Sequence, residues 1–357
     1  MKWTIVLPFS VASFLNDQCA CMWFTYLLLY LEKVLSFSQT TASELFLVGQ
    51  LVDAISMIPI GYFVDNVSFI PCLPQRKSWH FFGFVTVALS FMFLFSGEFT
   101  TFYAVVIFIT VFQIGWASTQ IAHLSLINVV ASSTDERTVL NASYYSFTVL
   151  ANLLVYTIMF VFLKTCPDEG ISSKDVTTFR WCAIYVVVSG LIACFIFQIF
   201  VKECPEDEPL LDPSTHNADM TDSEFDIPPA RNATVISPIE SHPDQARILS
   251  VDMTASLISI TQNGFSKWLK DYRFYFSIIV FTGARLVTNS VQVYLPLYVT
   301  ETLRLEKHLI AVLPFLQYIF GFLASTAVRC TKNEKITFII GFSVTSIASL
   351  LVYLGSE

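Results

Sequence analysis

Apolar residues fall along this chain in long runs separated by short polar stretches, near 4–31, 42–65, 80–97, 101–130, 141–163, 180–200, 273–299, 308–328 and 336–354. A helix needs about 20 apolar residues to cross hydrocarbon. Lipid cannot satisfy backbone polar groups, so each run predicts a membrane-spanning helix. About nine such helices are expected. Away from the ends of the runs the only charges are Asp17, Asp53 and Arg285. The first run is too long for the core of a signal peptide, contains Asn16 and Asp17 and has no small-residue cleavage site, so it reads as mature structure.

The longest break in the pattern divides the chain into a six-helix bundle over 1–200, an acidic loop over 201–271 and three further helices over 272–357. Between Lys202 and Asp252 there are twelve acids against three bases, and half of the fourteen prolines. Such a segment cannot bury enough apolar surface to fold and reads as a disordered linker. It accounts for the net charge of −8, so acidity says nothing about a substrate. With the N-terminus in the cytosol, thirteen Lys and Arg fall on the cytosolic side and six on the other. That bias predicts the orientation.

Composition narrows the function. The chain is 54% hydrophobic and 13% charged, with 34 phenylalanines, against roughly 25% charged residues in soluble domains. This excludes a disordered chain, a nucleic-acid partner and an ordinary cytosolic enzyme. Eight cysteines (Cys19, Cys21, Cys72, Cys166, Cys182, Cys194, Cys204 and Cys330) form no CxxC pair and no His-linked metal spacing. No nucleophile–base pair, metal box or Gly-rich phosphate loop stands out, so neither an enzyme nor a bound cofactor is expected.

The polar residues inside the runs carry the chemistry. A charge in hydrocarbon costs at least about 2.5–3.5 kcal/mol on insertion scales, so it faces a bundle interior or a cavity. Arg285 begins a stripe with Asn289 and Gln292 on helix seven. Gln113, Trp116, Gln120 and His123 share a face of helix four, and Tyr145, Thr148, Asn152 and Tyr156 a face of helix five. Several polar stripes call for a shared polar interior, and a solute cavity near the midplane supplies one. A small zwitterion would fit such a cavity: Arg285 can pair with its carboxylate, and Asp17 or Asp53 with its ammonium. A sugar would fit through Asn and Gln. Arg285 either contacts substrate or neutralises Asp17 or Asp53. Asp53 either couples a proton or cation, or holds a structural hydrogen bond. His123 is either a packed bundle histidine or a site residue, and Trp116 either packing or cavity lining.

Six helices, a charged loop and more helices is the layout of the major facilitator superfamily, and local sequence resembles it. Asp53-Ala54-Ile55-Ser56-Met57-Ile58-Pro59-Ile60-Gly61-Tyr62-Phe63-Val64-Asp65, followed by Arg76-Lys77, resembles the superfamily's Gly-x-x-x-Asp loop with trailing basic residues. It also resembles the Asp-Ala-x-x-Asp-Pro pattern of the glycoside-pentoside-hexuronide cation symporters. Longer stretches look like lysosomal and melanosomal members of the superfamily: Phe14-Leu15-Asn16-Asp17, residues 22–31, Gly115 to Ile127, Phe147 to Asn152 and, more faintly, Arg285 to Asn289. The resemblance implies an all-α polytopic fold and a secondary transporter that moves cysteine, or a similar small amino acid or thiol, into the organelle. It also implies that Asp65, Arg76 and Lys77 hold an inward gate by charge pairing, with a solvated loop as the alternative. The pattern departs in three places. The symporters' second carboxylate falls at Met57, which argues against a two-carboxylate sodium site. An arginine usual early in helix five is replaced by Tyr144 or Tyr145. The family has twelve helices where this chain offers about nine.

Glu206-Asp207-Glu208-Pro209-Leu210-Leu211 places Glu206 four residues before a Leu-Leu pair. It resembles the acidic dileucine signal that clathrin adaptors read to sort proteins to lysosomes. The competing readings are a cation-coupled sugar or lipid symporter, supported by the helix-two pattern, and a transport-dead fragment or interaction protein, supported by the helix number.

Overall fold

The computed structural model describes residues 3–68, 70–131, 133–165, 170–203, 270, 272–328 and 334–354. Among these, nine helical segments stand where the nine apolar runs predict them: α1 Trp3–Val34, α2 Gln39–Asn66, α3 Gln75–Leu94, α4 Phe102–Val130, α5 Thr134–Thr165, α6 Val176–Phe200, α7 Tyr272–Leu297, α8 Leu309–Val328 and α9 Glu334–Leu354. Seven helices among the described residues are long and apolar enough to cross a membrane. The fold is all-α and multi-pass, as expected.

Local signals set the helix ends. Ser38 accepts the Thr41 N–H at 3.1 Å and so caps α2. Pro74 precedes α3, where its missing N–H costs nothing. The first run differs from its expected single helix. It breaks into Trp3–Val11 and Phe14–Leu29. Pro8 removes a backbone donor there, and the Ser10 and Ser13 hydroxyls donate back to Val6 O (2.8 Å) and Ser10 O (3.3 Å). The break places Asn16 and Asp17 on the first turn of the second piece.

The chain divides into two compact units, Met1–Pro205 with Asn289–Glu357, and Glu206–Thr288. In the first, α4 packs on both α3 and α2, α1 on α5 and α6, α3 on α6, and α8 on α5. Its core is aromatic: Trp23 stacks on Phe112 at 5.2 Å and on Phe46 at 5.8 Å, and Tyr30 lies against Phe95 and Phe179. The close approach of α3 to α4 needs Gly83, where a Cβ would stand 2.8 Å from the Gly115 carbonyl oxygen. In the second unit the described residues are Lys270 and the first part of α7, on which Arg285 is exposed.

Two helix ends are built alike. Leu29-Tyr30-Leu31 and Leu297-Tyr298-Val299 each lead into a π-helical turn, Tyr30–Val34 and Tyr298–Thr302. In both the turn closes on its tyrosine carbonyl, from Leu35 N–H and Leu303 N–H at 3.0 Å. Each is followed by a residue with positive φ, Ser36 (61°) and Arg304 (49°). Lys33 of the first turn donates to Glu301 of the second at 2.6 Å. The same end carries a buried ion pair, Lys307 Nζ to Asp175 Oδ1 at 3.2 Å. The two helix ends thus share one local design and are joined to each other through Lys33 and Glu301.

Candidate functional site

A cavity of about 30 Å³ lies between α1, α4 and α5, lined by Ser13, Asn16, Asp17, Trp116, Thr119, Gln120, His123, Leu124 and Tyr144. Four of the predicted residues, Asp17, Trp116, Gln120 and His123, therefore meet at one place. Helix spacing explains the α4 contribution. Trp116, Gln120 and His123 follow one another at intervals of four and three residues and share a face.

Asp17 is held from α5, where the Thr148 hydroxyl donates to its Oδ2 at 2.8 Å. One turn on, Asn152 is buried and donates to the Thr148 carbonyl at 2.7 Å. It thus supports the residue that holds Asp17 rather than lining the cavity. Asn16 donates to the Trp116 carbonyl at 3.4 Å. Asn16 Oδ1, Gln120 Oε1, Trp116 Nε1 and both ring nitrogens of His123 are buried without a hydrogen-bond partner. Buried polar atoms are normally satisfied, so a cavity edged by so many open groups is chemically set up to receive a polar guest. One carboxylate, one imidazole, two amides and two aromatic rings suit a cation or a compact polar group.

The other predicted residues lie elsewhere. Gln292 donates to Thr25 Oγ1 at 3.2 Å and to the Tyr156 hydroxyl at 3.4 Å, in a cluster that ties α7 to α1 and α5. Asn289, three residues before it, is half-buried. Asp53 is half-buried, its Oδ1 without a partner and its backbone carbonyl bonded to Ser56 at 3.0 Å; it does not line this cavity. Glu206, Leu210 and Leu211 lie outside the described residues.

At the end where α2 meets α3, Arg76 pairs with Asp65 at 3.4 Å and with Glu203 at 3.7 Å. Lys77 is buried and donates to the Gln198 and Val201 carbonyls, both at 2.7 Å. It thereby satisfies the open carbonyls at the C-terminus of α6, where a cation also meets the helix dipole favourably. Glu203 receives the Arg76 and Lys77 backbone N–H groups at 3.3 and 3.1 Å.

Sequence reasoning missed several of these residues. Tyr144 lines the cavity where Tyr145, the residue aligned with Thr148, is exposed. Glu203 falls inside the acidic loop that the sequence predicts over 201–271. Asp175 and Lys307 were loop residues on opposite sides of that loop, with no local signal of pairing. The Leu-x-Leu-Tyr pattern shared by the two π-helical turns is present in the sequence itself, at 27–30 and 295–298.

A family model described as "MFS/sugar transport protein" matches residues 8–224. The chain is 34% identical to major facilitator superfamily domain-containing protein 12 of Mus musculus over 368 residues, covering 98% of this chain and 69% of that protein. It is 34% identical to the protein of the same name from Equus caballus over 370 residues and 33% to that of Homo sapiens over 373.

Proposed function

Since the chain belongs to the major facilitator superfamily, a family of membrane transporters rather than enzymes, we propose that it is a secondary transporter importing cysteine, or a similar small amino acid or thiol, into lysosomes or related organelles. The observation that carries this reading is the membrane-embedded cavity in which Asp17 stands among unpartnered polar groups. About 30 Å³ holds one or two water-sized groups, so in this state the cavity is a subsite. It suits the ammonium of an amino acid, with Asp17 as counter-ion and Trp116 beside it. Arg285, Asn289 and Gln292 supply the carboxylate side, Asp53 takes up the coupling proton or cation, and Asp65, Arg76 and Lys77 close the cytosolic gate. The N-terminus is cytosolic, and Glu206, Leu210 and Leu211 recruit a clathrin adaptor. The family description names sugar transport and so favours one competitor, a sugar symporter.

Uptake of labelled cysteine into vesicles, challenged with cystine, serine and sugars, separates the two. Competition by sugars alone would overturn the amino-acid reading. Arg285→Ala is expected to abolish uptake with the protein still in the membrane, and normal uptake in that variant would remove Arg285 from the site. Leu210→Ala with Leu211→Ala is expected to move the protein to the cell surface; unchanged lysosomal staining would refute the sorting role.

A further inference from the structure

Gln113 on α4 is fully buried, and neither its amide nitrogen nor its amide oxygen has a hydrogen-bond partner. Beside it stands Trp23 of α1, 1% exposed, whose Nε1 is also buried without a partner. The two meet at Gly49 of α2. A Cβ there would stand 2.5 Å from Trp23 Cη2 and 3.2 Å from Gln113 Nε2, so the glycine is what lets both reach one spot. The walls are aromatic: Trp23 lies flat against Phe112 (5.2 Å, 13° between planes) and stacks on Phe46 at 5.8 Å.

Packing alone does not account for this spot. Leucine at position 113 would fill a similar volume without stranding an amide, and an open buried polar group costs free energy. Whichever way the amide is turned, it offers both a donor and an acceptor, and Trp23 adds a donor. Both side chains are neutral, so an ionised group would lose its hydration beside them and gain no counter-ion from them. Their complement is a small neutral group that both donates and accepts. Against aromatic rings a polarisable sulfur makes favourable contacts. A thiol meets all of these terms.

Gln113 is three residues, about 4.5 Å of helix rise, from Trp116, which lines the Asp17 cavity. That separation is on the scale of one small amino acid. We propose that Gln113 and Trp23 form the side-chain subsite of the transported solute: they receive its thiol while Asp17 holds its ammonium, and so decide the preference for a thiol over a hydroxyl or a bare methyl. The Trp23 ring edge occupies the spot in this state and turns aside when the solute enters. The inference rests on the carrier reading and adds to it the residues that select the solute's side chain.

The test uses the full chain in liposomes and labelled cysteine, with unlabelled cysteine, serine and alanine as competitors. The native protein is expected to prefer cysteine to alanine by about tenfold, the upper range for a hydrogen bond between neutral groups. Gln113→Leu is expected to bring that ratio to about 1, with alanine competing as well as it does against the native protein. Trp23→Phe keeps the stacking on Phe112 and Phe46 but loses the N–H, and should lower the ratio in the same direction. It stands in where leucine prevents insertion. A Gln113 that only packs would change protein level or melting point and leave the ratio at its native value. A native-like ratio in the inserted variant, or a native protein that prefers alanine or serine to cysteine or treats them alike, overturns the assignment.

If the native protein moves none of the three, the carrier reading fails, and binding decides on the subsite. The Trp23 emission, taken as the difference from Trp23→Phe, should change with cysteine and not with alanine, and with neither in Gln113→Leu. Emission that ignores cysteine, answers both amino acids alike, or still responds in Gln113→Leu overturns the thiol subsite.

Discussion

Asp175→Asn is expected to destabilise the protein by about 3–5 kcal/mol, because it strips the counter-ion from a lysine that remains buried. The two side chains are 3% and 5% exposed, and Lys307 Nζ stands 3.2 Å from Asp175 Oδ1. Asp175 also accepts the Ser172 N–H at 2.9 Å at the start of α6, so the asparagine loses charge but keeps a local bond. A buried ion pair does not imply that the pair as a whole is favourable. Desolvating two charges offsets most of their attraction, and an apolar pair of similar volume often does as well. The double variant Asp175→Leu with Lys307→Met should therefore melt much closer to the native protein than Asp175→Asn does. Thermal midpoints of the detergent-solubilised proteins make the comparison. Equal midpoints for Asp175→Asn and the native chain would show that Lys307 escapes to water, contrary to its burial.

The second large effect concerns the cavity. Asp17→Asn keeps the shape of the side chain and removes its charge, so cysteine uptake should fall by about 10- to 150-fold, the worth of a hydrogen bond to a charged partner at roughly 1.5–3 kcal/mol. Thr148→Val removes the hydroxyl that donates to Asp17 Oδ2 at 2.8 Å and should cost about tenfold, the lower end of the same range. Initial rates at sub-saturating cysteine, corrected for protein in the membrane, are the measurement. An Asp17→Asn protein that transports normally would take Asp17 out of the proposed site and leave a carboxylate inside the helix bundle without a functional reason.

The two experiments probe different ends of the bundle. The Asp175–Lys307 and Lys33–Glu301 pairs join α6 and α1 to the segment linking α7 and α8. Lys77, Arg76 and Glu203 instead tie α3 to the end of α6. Loss of stability in one and loss of uptake in the other would separate scaffold from site.

The helices were legible in the sequence because their cause is local. Hydrocarbon demands about 20 apolar residues and an internally bonded backbone, and both conditions are met or missed within a single run. Which face of α4 is polar was legible for the same reason: Trp116, Gln120 and His123 obey helical spacing. Rotation of each helix about its axis was decided only by packing. It turned Tyr144, not Tyr145, toward the cavity, and it put Gln113 from the same α4 stripe beside Gly49 and Trp23 instead. Pairings such as Asp17 with Thr148, or Trp23 with Phe112, also join residues far apart in the chain. Their distances depend on how whole helices meet, and no spacing within one helix encodes that.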